Sequence, residues 1–522
     1  MKSKDYKLYI IKKIRKNEFL VNIMSLIEKL QMEENTNYFQ LILIHFPLNC
    51  KILDVNDATF WLKIQNSMKE NGTLWIIVND NPADSGRPIP FYLVELLQEK
   101  GFYVRNIILW YNNEYERSSS LFKNRISYII FASKSKNEYK FHLDAIREAH
   151  IWKDFEWGGG RRSRYNPLGK NPSNFWIHTD SKKGKTIGHR PLQWWEVVER
   201  IVKCSTDTGD NVLGIIPSNR KFMDNEFLQN INLRVLTLGN EKEIENNDLF
   251  YLKKMKSLSF FPSVPNGHSV YFKSSENMGE VKNGSVQMSI TSPPYWGLRD
   301  YGIKSQIGYG ESYEEYLKRL EKVFKEVFRV LKQDGLFWLN INKRIANGKM
   351  FLIPFDLLKI CKNVGFYLLD VMIWFRPVSV PGTGANNFTD RYEFILVLAK
   401  SKYVKIDMSL HVVDFLCETP ETQINVWKLY RRIGNLNKDF RKKTNVSIKH
   451  TAVYPEELVS RAISVSTVPG DIVLDPFLGS GTTLFVANRM GRTSIGYEIN
   501  PDFKPLIVNR LSNSISLLHF TK

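Results

Sequence analysis

Apolar residues recur first at helical and then at strand spacing, in the same order, in both halves of the chain. In the first half, FWLKIQNSMKENGTLWIIVN (60–79) is an amphipathic helical stretch that closes in a Gly turn and continues as an apolar strand. LEKVFKEVFRVLKQDGLFWLNIN (320–342) has the same pattern in the second half. A helix period, a Gly at the helix end and a following apolar strand are typical of a βα unit.

A second helix–strand pair follows in each half, IPFYLVELLQEKGFYVRNIILWY (89–111) and IPFDLLKICKNVGFYLLDVMIWF (353–375). Three further pairs of segments match in the same order: KNRISYIIFASKSK with TDRYEFILVLAKSK, HRPLQWWEVVERIV with HTAVYPEELVSRAI, and TGDNVLGIIPSNRKF with PGDIVLDPFLGSGTT. So many matches in register predict a tandem duplication. Helices that alternate with buried strands predict an α/β fold with two parallel or mixed sheets, each covered by helices on both faces.

The segment FFPSVPNGHSVYF (260–272) has the Pro and Gly content of a connection between domains. We therefore predict two domains, a first half at residues 1–262 and a second half at residues 263–522.

The charge of the chain points to a polyanionic partner. Lys and Arg outnumber Asp and Glu by 73 to 54 over 522 residues, which gives a net charge of +19. Nucleic acid is favoured over a membrane because no apolar run reaches the length that spans a bilayer. A solvated, Lys-rich surface is the alternative.

The four cysteines are too scattered for a zinc cluster or a disulfide framework, and the basic N-terminus contains no signal-peptide core. We therefore expect a cytoplasmic protein without a metal.

DPFLGSGTT (475–483) follows an apolar strand and leads into a helix. Glycines at such a place let the backbone approach a ligand beside the free N–H groups of the helix. The loop lacks the Lys of a Walker motif and differs from GxGxxG; a simple tight turn is the alternative. Glu498 ends the next strand at the distance expected for a carboxylate that binds ribose hydroxyls, although a helix-capping Glu would look the same. Together these features indicate a nucleoside cofactor without a phosphate tail, which fits S-adenosylmethionine.

ITSPPYWGLRDYG (290–302) ends an apolar strand in a rigid, extended segment, because proline fixes its own φ and restricts the preceding residue. The Ser292 hydroxyl and the Pro293 carbonyl could accept both N–H bonds of an exocyclic amine and make its nitrogen a better nucleophile. Tyr295 offers a ring face on which a flipped base can stack. A proline-terminated strand of purely structural meaning is the alternative.

The two motifs, in this order, resemble those of the β-class amino-directed DNA methyltransferases, whose circularly permuted chain places the catalytic motif before the cofactor motif. The resemblance covers most of Val270 to Leu511. It implies Rossmann-like S-adenosylmethionine methyltransferase domains with a mixed seven-stranded sheet, and methylation of cytosine N4 or adenine N6 after base flipping.

The family's functional residues map onto particular positions of this chain. The catalytic motif corresponds to Ser292, Pro293, Pro294 and Tyr295. The cofactor-binding residues correspond to Asp475, Pro476, Phe477, Gly479, Ser480, Gly481, Thr482 and Glu498. His450 to Pro455 resembles the helix start that completes the cofactor pocket. Ser rather than Asp at position 292 favours cytosine N4, while adenine N6 stays open.

The first half lacks these groups. The sequence comparison sets His45–Asn49 against Thr291–Tyr295, and Gly214–Arg220 against Asp475–Gly481. We therefore predict a degenerate, catalytically inactive domain without cofactor that forms a pseudo-dimer with the active one; a second active site with another motif is the alternative. The basic segments 157–190 and 428–449 are candidate DNA contacts, or else solvated charge runs.

The motifs, the charge and the resemblance together predict a site-specific DNA methyltransferase that acts on double-stranded DNA in a bacterium, an archaeon or a phage. A cognate restriction endonuclease for the same site is an expected partner. The sequence leaves two other classes open: a DNA-binding protein that has lost all activity, and a methyltransferase that acts on RNA or on a protein amide.

Overall fold

The computed structural model describes most of both halves. The described residues are 7–10, 37–47, 56–79, 88–112, 122, 124–149, 166, 168–182, 185–217, 220, 228–238, 251–254, 267–346, 349–377, 388–406, 424–430, 454–511 and 518–521.

The described strands of the first half form one large sheet, a hairpin and one further strand. The elements, in chain order, are β1 (Lys7–Ile10), β2 (Phe39–His45), α1 (Ala58–Ser67), β3 (Met68–Asn79), α2 (Ile89–Glu99), β4 (Tyr103–Tyr111), β5 (Ile126–Ser133), β6 (Phe175–Trp176), β7 (His178–Lys182), β8 (Lys185–Arg190), α3 (Trp194–Ser205), β9 (Asn211–Pro217), β10 (Asn232–Leu238) and β11 (Tyr251–Lys254). The large sheet has the order β1-β10-β9-β2-β3-β5-β4-β6, and only β5 runs antiparallel to its neighbours.

The second half begins at β12 and contains a second large sheet. Its elements are β12 (His268–Tyr271), β13 (Val286–Thr291), α4 (Tyr313–Val330), β14 (Leu331–Ile341), β15 (Arg344–Ala346), β16 (Lys349–Phe351), α5 (Ile353–Val364), β17 (Tyr367–Phe375), β18 (Tyr392–Ala399), β19 (Tyr403–Ile406), β20 (Val426–Lys428), α6 (Glu456–Ser466), β21 (Ile472–Asp475), α7 (Thr482–Arg489), β22 (Thr493–Tyr497), α8 (Lys504–Arg510) and β23 (Leu518–Thr521). The predicted α/β class with mostly parallel sheets is confirmed.

The two large sheets have the same strand order. The second runs β20-β17-β18-β14-β13-β21-β22-β12-β23, so each strand of the first sheet has a counterpart, and β23 adds one edge strand. Again only one strand, β18, is antiparallel to its neighbours. The described sheet has nine strands rather than the seven that the resemblance implies, because β20 and β23 extend its two edges.

The Gly turns predicted at the ends of the first helix in each half are not helix caps. The helices end earlier, and Gly72 and Gly335 lie inside β3 and β14. A Cβ on Gly335 would lie 3.0 Å from the carbonyl oxygens of Gln287 in β13 and of Lys332 in β14 itself, so a larger residue would need the backbone to shift by a few tenths of an ångström. The later prediction is confirmed at Gly365, which ends α5 with a φ of 118°.

The two sheets share one continuous hydrophobic core. A single cluster of buried side chains includes residues of both halves. Phe91 of α2 lies 5.8 Å from Phe355, its counterpart in α5, and 5.1 Å from Phe394 of β18, measured between ring centroids. Phe175 stacks on Phe375 at 4.2 Å. The Phe91–Phe355 contact thus joins the matching helices α2 and α5, as in a two-fold interface.

Hydrogen bonds across this interface are reciprocal. The Arg391 amide donates to the Asn174 side-chain oxygen at 3.0 Å. The matching Arg125 amide donates to the Asn425 side-chain oxygen at the same distance. A self-complementary pattern of this kind is the mark of a two-fold arrangement.

Truncation of the shared core should destabilise both halves together. We expect Phe91→Ala to lower the free energy of unfolding by about 3–5 kcal/mol, since it removes a fully buried ring at the junction. Urea denaturation followed by circular dichroism measures the loss. Leu62→Ala, at a side chain that is 53% exposed, is the control and should change it by less than about 0.5 kcal/mol. Equal values for the two variants would contradict the shared core.

Candidate active site

Two neighbouring parallel strands, β13 and β21, bring the two sequence motifs together. Ser289 of β13 pairs with Leu474 of β21, so both strands end at the same edge of the sheet. There the Thr291 hydroxyl donates a hydrogen bond of 2.7 Å to the Asp475 carboxylate. The SPPY segment begins at the next residue of one strand and the Gly loop at the next residue of the other. This edge is where open α/β sheets bind their ligands.

Asp475 is completely buried and organises this edge. One carboxylate oxygen accepts from Thr291 and from the Phe477 amide at 3.1 Å. The other accepts from the hydroxyls of Tyr454 at 2.7 Å and Thr483 at 2.6 Å. Burial raises the pKa of Asp475, and these hydrogen bonds oppose the rise. These four hydrogen bonds use the lone-pair positions of the carboxylate, and the predicted contact of Asp475 with the cofactor stays a prediction.

Two glycines of the Gly loop have a backbone conformation that other residues rarely adopt. Gly479 and Gly481 have φ values of 55° and 82°, in the left-handed region that favours glycine. Gly481 precedes α7, and the Thr482 side chain accepts a hydrogen bond of 2.8 Å from Arg510. The Ser480 hydroxyl is buried and has no hydrogen-bond partner in the part of the chain that the structure describes. Of the remaining predicted loop residues, Pro476 is buried and Phe477 half-buried.

Glu498 follows β22 and holds the loop from the other side. Its carboxylate accepts 2.8 Å hydrogen bonds from the amides of Gly479 and Asn500. Burial raises its pKa to about 7. The Asn500 side chain in turn donates to the Tyr301 carbonyl at 3.1 Å, so the segment after SPPY closes one side of the site. Two amide bonds leave further lone pairs on the carboxylate for hydroxyl donors.

The SPPY segment is fixed by a hydrogen bond from α4, and the two groups predicted to accept from an amine do not take part in it. Tyr316 of α4 donates a 2.9 Å hydrogen bond to the Pro294 carbonyl. Pro293 is buried, while Ser292 and Pro294 are half-buried. Within the described ranges, neither the Ser292 hydroxyl nor the Pro293 carbonyl has a hydrogen-bond partner. These are the two groups that the sequence predicts to bind an amine.

Tyr295 is anchored by a charged group that the sequence reasoning missed. Its hydroxyl donates to Glu393 of β18 at 3.3 Å. Glu393 also pairs with Arg376 at 3.2 Å and accepts from the Asn340 amide group at 2.9 Å. Burial, and then the charge of Glu393, raise the pKa of Tyr295. The hydroxyl end of the Tyr295 ring is therefore held in place by Glu393.

The strand register corrects the alignment of the first half by one residue. Trp75 of β3 and Trp338 of β14 are matching positions of the two sheets. Leu43 of β2 lies opposite Trp75, and Ile290 of β13 lies opposite Trp338. Leu43 and Ile290 are therefore matching positions. Two residues after Leu43 comes His45, and two residues after Ile290 comes Ser292.

His45 therefore stands at the position of Ser292, not of Thr291 as the sequence comparison sets it. His45 is buried and lies 4.9 Å from the Trp194 ring. The Arg220 guanidinium lies over the same Trp194 ring, 5.3 Å from its centroid. Burial and the charge of Arg220 lower the pKa of His45 to about 3. His45, Trp194 and Arg220 thus lie together at the end of β2, where the second half has Ser292 at the end of β13.

The candidate DNA-contacting segments lie only partly within the described residues. Of segment 157–190, the structure describes 166, 168–182 and 185–190, which include the β7–β8 hairpin. Of segment 428–449, it describes 428–430. Of the predicted helix start His450 to Pro455, Tyr454 and Pro455 are described, and Tyr454 contacts Asp475.

A family model of DNA methylases, named for N6 and N4 methyltransferases, matches residues 56–214 and 286–509. The chain belongs to this family. The match falls in both halves and includes the SPPY segment and the Gly loop of the second. The protein is therefore a DNA amino-methyltransferase.

Curated relatives of this DNA methylase are type II methyltransferases. The chain is 33% identical over 261 residues to M.Cfr9I of Citrobacter freundii, which covers 44% of this chain and 83% of that protein. It is 32% identical over 272 residues to M.XycI of Xanthomonas campestris pv. cyanopsidis, which covers 45% of this chain and 84% of the relative. Among solved structures, the PvuII cytosine-N4-specific DNA methyltransferase is 25% identical with a TM-score of 0.40, covering 50% of this chain and 92% of that one.

S-adenosyl-L-methionine is the methyl donor of this DNA methylase. The structure offers groups that suit it: the buried Glu498 carboxylate with lone pairs to spare, the left-handed glycines beside it, and the unpaired Ser480 hydroxyl. In the described part of the chain, no group of His, Cys, Asp and Glu side chains could hold a metal ion. No helix among the described residues is both long and apolar enough to span a membrane.

Cofactor binding should strengthen as the pH rises through the pKa of Glu498. Below about pH 7 the raised pKa keeps Glu498 protonated, whereas acceptance of two hydroxyl hydrogens requires the carboxylate. We expect the affinity for S-adenosylmethionine to rise roughly tenfold between about pH 6 and about pH 8. Isothermal titration calorimetry measures it. Glu498→Gln should bind more weakly and without this pH dependence; a parent profile as flat as that of the variant would contradict the role.

Proposed function

We propose that this protein is a site-specific DNA methyltransferase that methylates the exocyclic amine of a base flipped out of the duplex, with cytosine N4 as the favoured acceptor. The observation that carries the proposal is the Thr291–Asp475 hydrogen bond. It holds the end of the amine-binding segment against the start of the Gly loop, so that an amine at one and a methyl donor at the other would meet.

The second half would perform the reaction through the SPPY segment. The Ser292 hydroxyl and the Pro293 carbonyl accept the two N–H bonds of the amine, which draws the nitrogen lone pair out of conjugation with the base. That lone pair forms the new N–CH₃ bond while the donor's S–CH₃ bond breaks, and the nitrogen then releases a proton. Tyr295 stacks on the flipped base and fixes its plane. Glu498, Gly479 and Gly481 position the cofactor's nucleoside.

Ser292 supports cytosine as the acceptor, because adenine-N6 members of the resembling family usually carry an acidic residue there. Adenine N6 is the alternative outcome of the same experiment. The type II relatives support double-stranded DNA as the substrate and a cognate restriction endonuclease as a partner.

The first half, residues 1–262, is proposed as a degenerate copy of the methyltransferase domain at 263–522. Three observations support this: the matching strand order, the reciprocal interface and the matched family model. His45, Trp194 and Arg220 crowd the place where a cofactor and a base would bind. The chain would then be an intramolecular pseudo-dimer with one working site.

Expression in a host without DNA methylation should produce modified bases at one defined sequence. Single-molecule sequencing of the host DNA maps them, and nuclease digestion with mass spectrometry separates N4-methylcytosine from N6-methyladenine. Ser292→Ala should bind S-adenosylmethionine like the parent and leave the DNA unmarked, because it loses an amine acceptor. If the variant marks DNA as fast as the parent does, Ser292 has no such role.

The chain should bind one S-adenosylmethionine molecule. Gly481→Arg introduces in the second half the residue type that the first half has at the matching Arg220, and the left-handed φ of Gly481 strains it further. We expect equilibrium dialysis to give about one cofactor per parent chain and none for this variant. Two molecules per chain would contradict a degenerate first half.

A further inference from the structure

One short stretch of the second half, Phe388 to Glu393, connects the first half to the active site. Phe388 packs into a core cluster made otherwise of first-half residues, with Phe141 at 5.7 Å between ring centroids. The Thr389 amide donates to the Pro172 carbonyl at 2.9 Å. The stretch therefore begins inside the other half of the molecule.

Asn174 of the first half holds the middle of this stretch. It is fully buried. Its side-chain oxygen accepts from the Arg391 amide at 3.0 Å, and its side-chain nitrogen donates to the Asp390 carboxylate at 2.5 Å. The Tyr392 hydroxyl then donates to the carbonyl of Ile107, again in the first half, at 2.7 Å. Four successive residues, Thr389 to Tyr392, are thus bonded to the first half.

The fifth residue is Glu393, which holds the catalytic-motif tyrosine. Because its backbone continues directly from Tyr392, the position of its carboxylate depends on the contacts that fix the preceding residues. The carboxylate accepts from the Tyr295 hydroxyl and pairs with Arg376. The path from Asn174 to Tyr295 is therefore a short chain of buried contacts.

The opposite side of the interface has the same anchor without the charged group. Arg125 and Asn425 repeat the Arg391–Asn174 hydrogen bond. Two residues after Arg125, however, Ser127 stands where Glu393 stands in the second half, and it accepts a 2.7 Å hydrogen bond from Asn112, the counterpart of Arg376. The anchor is common to both halves, whereas, among the matching positions that the structure describes, the ion pair next to a tyrosine is found beside SPPY and not beside Ser127.

We propose that the first half is a positioning partner for catalysis: Asn174 fixes the stretch that ends in Glu393, and Glu393 orients the Tyr295 ring for the flipped base. This inference rests on the proposed function and adds to it a reason why the degenerate half is needed. Glu393 and Asn174 are positioning residues that act through Tyr295.

Asn174→Ala and Asn425→Ala form a matched pair for the test. Each removes two interface hydrogen bonds, to Arg391 and Asp390 or to Arg125 and Asn124. Single-turnover methyl transfer to a duplex with the mapped site, cofactor affinity and the urea midpoint are measured for both. We expect similar losses of midpoint, unchanged cofactor affinity, and a rate constant lowered at least about tenfold only by Asn174→Ala.

Tyr295→Phe tests whether Asn174 acts through the hydrogen bond between Tyr295 and Glu393. It keeps the ring but loses the hydroxyl that binds Glu393, so it should slow methyl transfer on its own. In combination, Asn174→Ala should then add less than about twofold, because the contact through which it acts is already gone. Glu393→Gln keeps an acceptor and should recover part of the rate lost in Glu393→Ala.

The outcomes separate the two proposals. Absence of methyl transfer by the parent would defeat the proposed function. An active parent with equal rate losses in Asn174→Ala and Asn425→Ala, or with fully additive effects of Asn174→Ala and Tyr295→Phe, would defeat only the positioning role and leave the contacts as general stabilisation.

Discussion

The hydrogen bond between Thr291 and Asp475 is the contact on which the rest of the site depends. It joins the ends of two parallel strands that lead into the SPPY segment and the Gly loop. Asp475 also binds Tyr454 and Thr483, so one buried carboxylate holds the SPPY segment, the helix that follows the Gly loop and the start of α6 in a single arrangement. Such a saturated network is worth more than its separate bonds because its members are shielded from water.

A second buried carboxylate, that of Glu498, lies on the other side of the Gly loop. Glu498 accepts from the backbone amides of Gly479 and Asn500 and has a pKa raised to about 7, whereas Asp475 accepts from three hydroxyls and one amide. Two buried acidic groups near the Gly loop thus differ in their hydrogen bonding: Asp475 is bonded to protein groups at both oxygens, and Glu498 is proposed as the acceptor for the cofactor.

The two-fold character of the molecule joins the two halves through a shared core. A self-complementary interface buries aromatic side chains of matching elements, such as Phe91 and Phe355, in one core. The second half therefore does not fold around its own residues alone: Phe388 lies in the core of the first half, and Phe122 lies in that of the second. His45 and Arg220 of the first half, which stand where the second half has Ser292 and Gly481, leave these contacts intact.

The sequence by itself determined the α/β class, the order of the matching segments and the two motifs, because helix and strand periods and proline or glycine constraints are local. It misplaced the turns at Gly72 and Gly335 and set His45 one position off, since helix ends and strand register are fixed by neighbouring strands. Only the tertiary structure decided that Asp475 points inward and that Glu393 reaches Tyr295. Those contacts join residues far apart in the chain, and burial and packing select them, not any pattern within one segment.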